Sequence, residues 1–149
     1  MLGFVSEAAA REDLVNLHCE HAGFLSFDAP PNSLDVVVTR YALHHLPDFW
    51  KQVALLRLCE AIRPGGLLYL QDVVFSFDPQ SYEAAVDHWV SRMPELSGFL
   101  REEFEMHVRE EYSTFAWVLE GLLDRAGFEI IESERSDPEY AEYLCRPAR

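Results

Sequence analysis

Basic residues are scarce in this chain: twelve lysines and arginines stand against 26 aspartates and glutamates, for a net charge of −14. Such a balance repels phosphate backbones and anionic lipid headgroups at long range, which argues against nucleic acid or a membrane surface as partner. Cysteine is sparse and odd in number, at Cys19, Cys59 and Cys145, with no Cys-x-x-Cys pair. A disulfide framework is therefore not expected, and all three read as buried free thiols. No apolar run approaches the length of a membrane span, and the start MLGFVSEAAAREDL has neither a basic flank nor a signal-peptide core, so the expected setting is the cytoplasm. Also lacking are the Walker spacing, the Gly-x-Ser-x-Gly elbow and the Gly-x-Gly-x-x-Gly fingerprint. These absences argue against P-loop phosphate chemistry and elbow-type acyl transfer, and leave little for a nicotinamide enzyme. No repeat or low-complexity segment breaks the 149 residues, which are enough for one compact domain and too few for two.

What is present is an alternation of strand and helix signals. A short helical stretch runs from Leu2 to about Arg11, and Leu14 to His21 alternates as a strand would. Gly23 and the run Asp28-Ala-Pro-Pro-Asn-Ser33 supply turn chemistry. Leu34-Asp-Val-Val-Val-Thr39 then reads as a central strand buried on both faces of a parallel sheet. Asp48 is placed to cap a helix whose stripe is Phe49, Val53, Leu56 and Cys59, with Leu55 and Ile62 beside it, and Pro64-Gly65-Gly66 is read as its stop. Leu67 to Phe75 is a second apolar strand. Strand, helix, strand in this order predicts a right-handed parallel crossover.

Residues from about 78 to 112 have a different texture. Asp78-Pro79 opens a helix carrying Tyr82, Ala85, Val86, Trp89 and Met93, which Pro94 is expected to close. A second, charged helix follows around Leu100 to Val108, so the pair reads as a helical insert forming a lid or substrate wall. Phe115 to Ala126 gives the cleanest amphipathic pattern, stopped by Gly127. Phe128 to Glu134 and Tyr140 to Cys145 read as two antiparallel terminal strands.

Two junctions resemble those of class I S-adenosylmethionine-dependent methyltransferases. Leu34-Asp-Val-Val-Val-Thr-Arg-Tyr-Ala-Leu-His-His-Leu-Pro-Asp48 is similar to the end of that family's fourth strand, and Ile62-Arg-Pro-Gly-Gly-Leu-Leu-Tyr-Leu-Gln-Asp72 to its fifth. The helix ending Asp-Arg-Ala-Gly-Phe128 and the two last strands extend the likeness over nearly the whole chain. The resemblance implies a single, partial methyltransferase domain over residues 1–149. Its fold class is α/β: a three-layer Rossmann-like, mainly parallel sheet with helices on both faces and an antiparallel C-terminal strand. The family's first two strands are expected to be missing, an N-terminal truncation that removes the glycine-rich loop and the acidic residue for the ribose, and leaves a sheet edge exposed for a second copy or another chain to cover. The implied reaction is methyl transfer from S-adenosyl-L-methionine to a small-molecule acceptor, with no metal needed and with activity impaired by the missing part. The alternative is a non-catalytic module that pairs with another chain.

Ligands of open parallel sheets sit beyond the carboxyl ends of the strands. Carried over residue by residue, the family's cofactor positions fall on Gly23, Phe24, Arg40, Tyr41 and Ala42, although His21-Ala-Gly-Phe24 has no carboxylate where the family often has one. His44 and His45 are candidates for a general base or the acceptor pocket, since an imidazole titrates near neutrality; packing of one and solvation of the other is the competing reading. Tyr112, or His107, is a candidate for the acceptor pocket, against a solvated helix face. His18-Cys19-Glu20-His21 alternates on a strand and so does not converge on a metal. Asp72, near the end of a buried strand, must be paired, solvated at the strand end or functional, and solvation at the strand end is the favoured reading.

Overall fold

The computed structural model describes residues 2–149, side chains at 94–96 excepted. In chain order the elements are α1 (Leu2–Arg11), β1 (Leu34–Arg40), a 3₁₀ turn (Leu43–His45), α2 (Asp48–Ala61), β2 (Ile62–Phe75), a second 3₁₀ turn (Pro79–Ser81), α3 (Tyr82–Ser97), α4 (Arg101–Glu110), β3 (Thr114–Phe115), α5 (Ala116–Arg125), β4 (Phe128–Asp137) and β5 (Tyr140–Pro147). The fold class is α/β with a mixed sheet in the order β1-β2-β5-β4, and β3 adds a short parallel ladder on β2. β1 and β2 are parallel, with Val36 to Arg40 opposite Leu67 to Gln71. β5 is antiparallel to both β2 and β4. No helix is long and apolar enough to cross a membrane among the described residues.

Alternation along the strands decides which face is covered. Leu68, Leu70 and Val74 of β2 join Tyr143 and Cys145 of β5 in a core closed by Ala54, Leu55 and Cys59 of α2 and by Leu119 and Leu123 of α5. Each such aliphatic side chain contributes on the order of 1.5–3 kcal/mol on burial. The opposite face is covered at one end, where Trp89 and Val90 of α3 pack on Val73. The expectation that β1 is buried on both faces is corrected here: Val36 and Val38 are 55% and 63% exposed, because β1 is an edge strand and, among the described residues, no helix packs on its outer face.

Four boundaries differ from the sequence reading. Leu14 to His21 is not a strand: every residue in it is exposed and it pairs with no strand, and alternation without a neighbour to complete the ladder has nothing to stabilise it. α2 ends at Ala61, ahead of Pro64-Gly65-Gly66, with the Ile62 N–H closing the last turn on the Leu58 carbonyl. The Pro-Gly-Gly segment instead bulges within β2, where β1 advances from Leu34 to Val36 while β2 advances from Ile62 to Leu67. A Cβ on Gly66 would lie 2.7 Å from the Asp35 carbonyl oxygen, so the parallel strands approach at a point only glycine allows. Asp48 is the first residue of α2 and caps nothing; its carboxylate accepts from Lys51 Nζ at 2.8 Å. α3 continues past Pro94 to Ser97, since a proline removes one hydrogen bond without forcing a stop.

The amphipathic face of α2 is also rotated. Phe49 and Leu56 are exposed, whereas Lys51, Ala54, Leu55 and Cys59 are buried. Lys51 is tolerated inside because its ammonium reaches the Asp48 carboxylate and the Tyr112 carbonyl. Of the cysteines, Cys59 and Cys145 are buried thiols, but Cys19 is exposed along with the rest of its segment.

Candidate active site

The carboxyl ends of β1 and β2 form the rim on which the candidate residues meet. Tyr41 follows Arg40 with φ 49°, a left-handed conformation that costs a non-glycine residue on the order of 1 kcal/mol or more. Its N–H donates to the Gln71 carbonyl at 2.8 Å, so the ladder persists through this turn. The turn separates two cavities. Tyr41 lines one of about 730 Å³, together with His44, His45, Trp89, His107, Glu111 and Tyr140, while Ala42 lines another of about 560 Å³ with Gly23, Phe24, Leu34 and Val37.

Asp72 anchors the rim. It is 2% exposed, and its carboxylate accepts from the backbone N–H groups of Leu43 at 2.8 Å, His44 at 3.2 Å and Val73 at 2.8 Å, and from His44 Nδ1. Pairing, rather than solvation at the strand end, is what makes this buried charge tolerable. Because Nδ1 faces a carboxylate, it carries the proton and donates, which turns Nε2 toward Glu111. Glu111 Oε2 lies 3.4 Å from His44 Nε2 and 2.5 Å from His45 Nδ1, yet that oxygen is buried without a well-aligned hydrogen bond. His44 is buried and the His45 side chain is 58% exposed, so the pair divides into one packed and one solvated imidazole, both on the larger cavity.

α3 and α4 supply the far wall. The His107 ring lies 4.9 Å from His44 and 5.4 Å from Trp89, and Ser113 Oγ sits 2.7 Å from its Nε2. Burial, and then the neighbouring His44, push the His107 imidazole down to about 4. Trp89 Nε1 donates to Tyr140 Oη at 3.2 Å, and Arg92 bridges Asp137 and the buried Glu139 at 2.8 and 2.9 Å, fastening α3 to the β4–β5 turn.

The sequence-derived cofactor positions therefore split. Gly23, Phe24 and Ala42 share the smaller cavity, Tyr41 faces the larger, and Arg40 lines neither: its Nε donates to Gln71 Oε1 at 2.5 Å. Tyr112 is half exposed and does not line the larger cavity; its backbone N–H donates to the His44 carbonyl at 2.9 Å, and its own carbonyl accepts from Lys51. His107 does line it. Sequence reasoning missed Glu111 as a partner of the histidines, Lys51 as a buried tie and Asp72 as the group that orients His44. The signals available were an aspartate inside an apolar strand and a lysine on the inner face of a helix.

Element order and the parallel β1–β2 pair are those of a Rossmann-like fold. Residues 1–70 match the family described as a methyltransferase domain. An uncharacterized methyltransferase of Bacillus cereus is 32% identical over 107 residues, which is 72% of this chain and 46% of that protein. Among solved structures, the [4+2]-cyclase SpnF superposes with a TM-score of 0.71 at 15% identity, covering 99% of this chain and 63% of that one. The mitomycin 7-O-methyltransferase MmcR gives 0.65 at 16%, covering 96% and 38%. The chain spans about half the length of the curated relatives it matches. Over its first 70 residues, and in fold throughout, the chain is therefore similar to methyltransferases. The cyclase shares the fold, so what reaction the site performs has to be argued from the site.

Proposed function

We propose that this protein transfers the sulfonium methyl group of S-adenosyl-L-methionine to a hydroxylated aromatic small molecule held in the larger cavity. The observation that carries this reading is His44, oriented by Asp72 and set in the wall of a cavity at the carboxyl ends of parallel strands in a chain similar to methyltransferases. Trp89, Phe104 and Tyr140 offer flat apolar surface to an aromatic acceptor. Nε2 of His44 takes the acceptor's hydroxyl proton, and Asp72 stabilises the imidazolium that results; general-base help of this kind is worth about 10²–10⁴-fold. His45, on the same cavity and open to solvent, passes that proton out.

The smaller cavity suits the cofactor's adenosine end. Its walls at Leu34, Val37 and Phe24 are apolar, and Gly23 places bare backbone beside them, with no atom within 4 Å of where a Cβ would stand. Gly23, Phe24 and Ala42 would hold the adenine, with Arg40 and Tyr41 at the rim toward the methionine end. When bound, the cofactor supplies the electrophilic methyl group. Among the described residues these are the contacts the smaller cavity offers, and the affinity expected from them is weak, with a Kd of about 0.1–1 mM. The free thiols Cys59 and Cys145 suit a reducing, cytoplasmic setting.

Calorimetric titration of the purified chain with S-adenosylmethionine, paired with label transfer from its methyl-labelled form to a panel of phenols, tests both parts. The reading expects saturable binding in that range and slow label transfer that falls about 100-fold or more in His44→Asn. A chain with no saturable binding sinks the cofactor assignment, and submicromolar binding sinks the weak-affinity claim.

A further inference from the structure

The wall of the larger cavity gathers more lone pairs than a single general base needs. His44, His107 and Glu111 each offer a ligand atom, and the three atoms lie within 4.8 Å of one another. His44 Nε2 and Glu111 Oε2 are 3.4 Å apart, the spacing of two ligands about 2.0–2.1 Å from a tetrahedral ion. Their supports are already in place. Asp72 accepts from His44 Nδ1, the carboxylate–histidine arrangement that turns the second ring nitrogen into a fixed, more basic donor to a metal. Ser113 holds the His107 ring through Nε2, and His45 Nδ1 stands beside the Glu111 carboxylate.

Charge points the same way. Asp72 and Glu111 bring two negative charges into a half-enclosed site, and among the described residues neither pairs with a lysine or arginine. The nearby cations are committed elsewhere: Lys51 to Asp48 and the Tyr112 carbonyl, Arg92 to Asp137 and Glu139. The buried Glu111 oxygen without an aligned hydrogen bond faces that deficit.

We propose that His44, Glu111 and His107 form a binding site for a divalent transition-metal ion of the zinc type, with its fourth position open to the larger cavity. Two neutral imidazoles and one carboxylate are the donor set such ions prefer, and the three residues come from the rim turn, α4 and the residue just after α4, so the ion would fasten the α4 wall to the sheet. A metal on His44 Nε2 takes the lone pair that would otherwise accept a proton. Metal occupancy and the general-base role of His44 are thus exclusive, and the ion inhibits methyl transfer.

The claim rests on the cluster and is testable without cofactor or acceptor. The metal-free 149-residue chain is titrated with cobalt(II), following the visible absorption of a four-coordinate ion. One equivalent is expected to bind, with Glu111→Gln and His107→Asn each weakening it at least tenfold and Cys19→Ser leaving it unchanged, the last because the exposed His18-Cys19-Glu20-His21 segment is the competing site. In the unmutated chain, zinc(II) should shift the imidazole resonances of His44 and His107 and not those of His18 and His21, which keeps the claim testable if a variant fails to fold. Absence of saturable binding up to about 1 mM, binding indifferent to Glu111→Gln, or binding lost with Cys19→Ser overturns it.

Discussion

Asp72 holds His44 by two of that residue's own groups, the backbone N–H at 3.2 Å and the ring Nδ1, across a separation of 28 residues. The strand thereby fixes both the path of the rim turn and the direction of the imidazole. Replacing Asp72 with Asn keeps the shape and removes the charge that selects the tautomer. Urea unfolding of Asp72→Asn is expected to show a loss of about 1–3 kcal/mol, with label transfer lowered at least tenfold beyond what reduced folding explains. Unchanged transfer in a folded variant would take the orienting role away from Asp72.

Acid should loosen the α4 wall. His107 is held at about 4 in the folded chain against an ordinary value near 6.5, chiefly by burial. The unfolded chain therefore binds the extra proton first as pH falls, so stability is lost between about pH 6.5 and 4 and the loss levels off below that. Partial exposure limits the effect to roughly 1–3 kcal/mol. Denaturation midpoints across this range should fall with pH in the native chain and fall less in His107→Gln; parallel curves for the two proteins would refute the assignment.

Lys51 ties α2 to the segment after α4 through the Tyr112 carbonyl. Lys51→Met keeps the aliphatic stem and leaves that carbonyl without its donor, at an expected cost of about 1–3 kcal/mol in chemical denaturation. The backbone amides of 111–113 should exchange hydrogen faster than in the native chain. Exchange rates unaltered by the substitution would mean the tie holds nothing in place.

Gly66 lies against the β1 backbone at Asp35. A methyl group there meets the Asp35 carbonyl oxygen at 2.7 Å and the Arg63 carbonyl oxygen at 3.0 Å, both backbone atoms that cannot step aside. Gly66→Ala should destabilise the fold by on the order of 1–3 kcal/mol, more than Gly3→Ala, whose site is open. Equal melting temperatures for the two variants would show that the bulge yields.

How much of this was legible in the sequence depended on whether a segment's neighbours were local. The branched runs at Val36 to Val38 and Leu67 to Leu70 declared strands, and the helix between them required those strands to be parallel, as they are. Gly127, with φ 90°, ended α5 where its position foretold. Leu14 to His21 had the pattern of a strand and no partner to pair with, which alternation alone cannot reveal. The inner face of α2 was misplaced because a buried lysine looks like a surface residue until Asp48 and Tyr112 are seen around it. At the site, His44 and His45 were visible as a pair near the strand end, but Asp72 and Glu111 reach them across 28 and 67 residues of chain, and only the folded topology brings them together.

The central claim is that the rim after β1 is where S-adenosylmethionine binds. Backbone amide resonances of the labelled chain, followed as the cofactor is added to millimolar concentration, test it without depending on turnover. The account predicts saturable shifts concentrated at residues 22–24 and 40–45, and their loss in Ala42→Trp, which fills the smaller cavity. Shifts scattered over the surface, centred on the far end of the sheet, or retained in Ala42→Trp would contradict it.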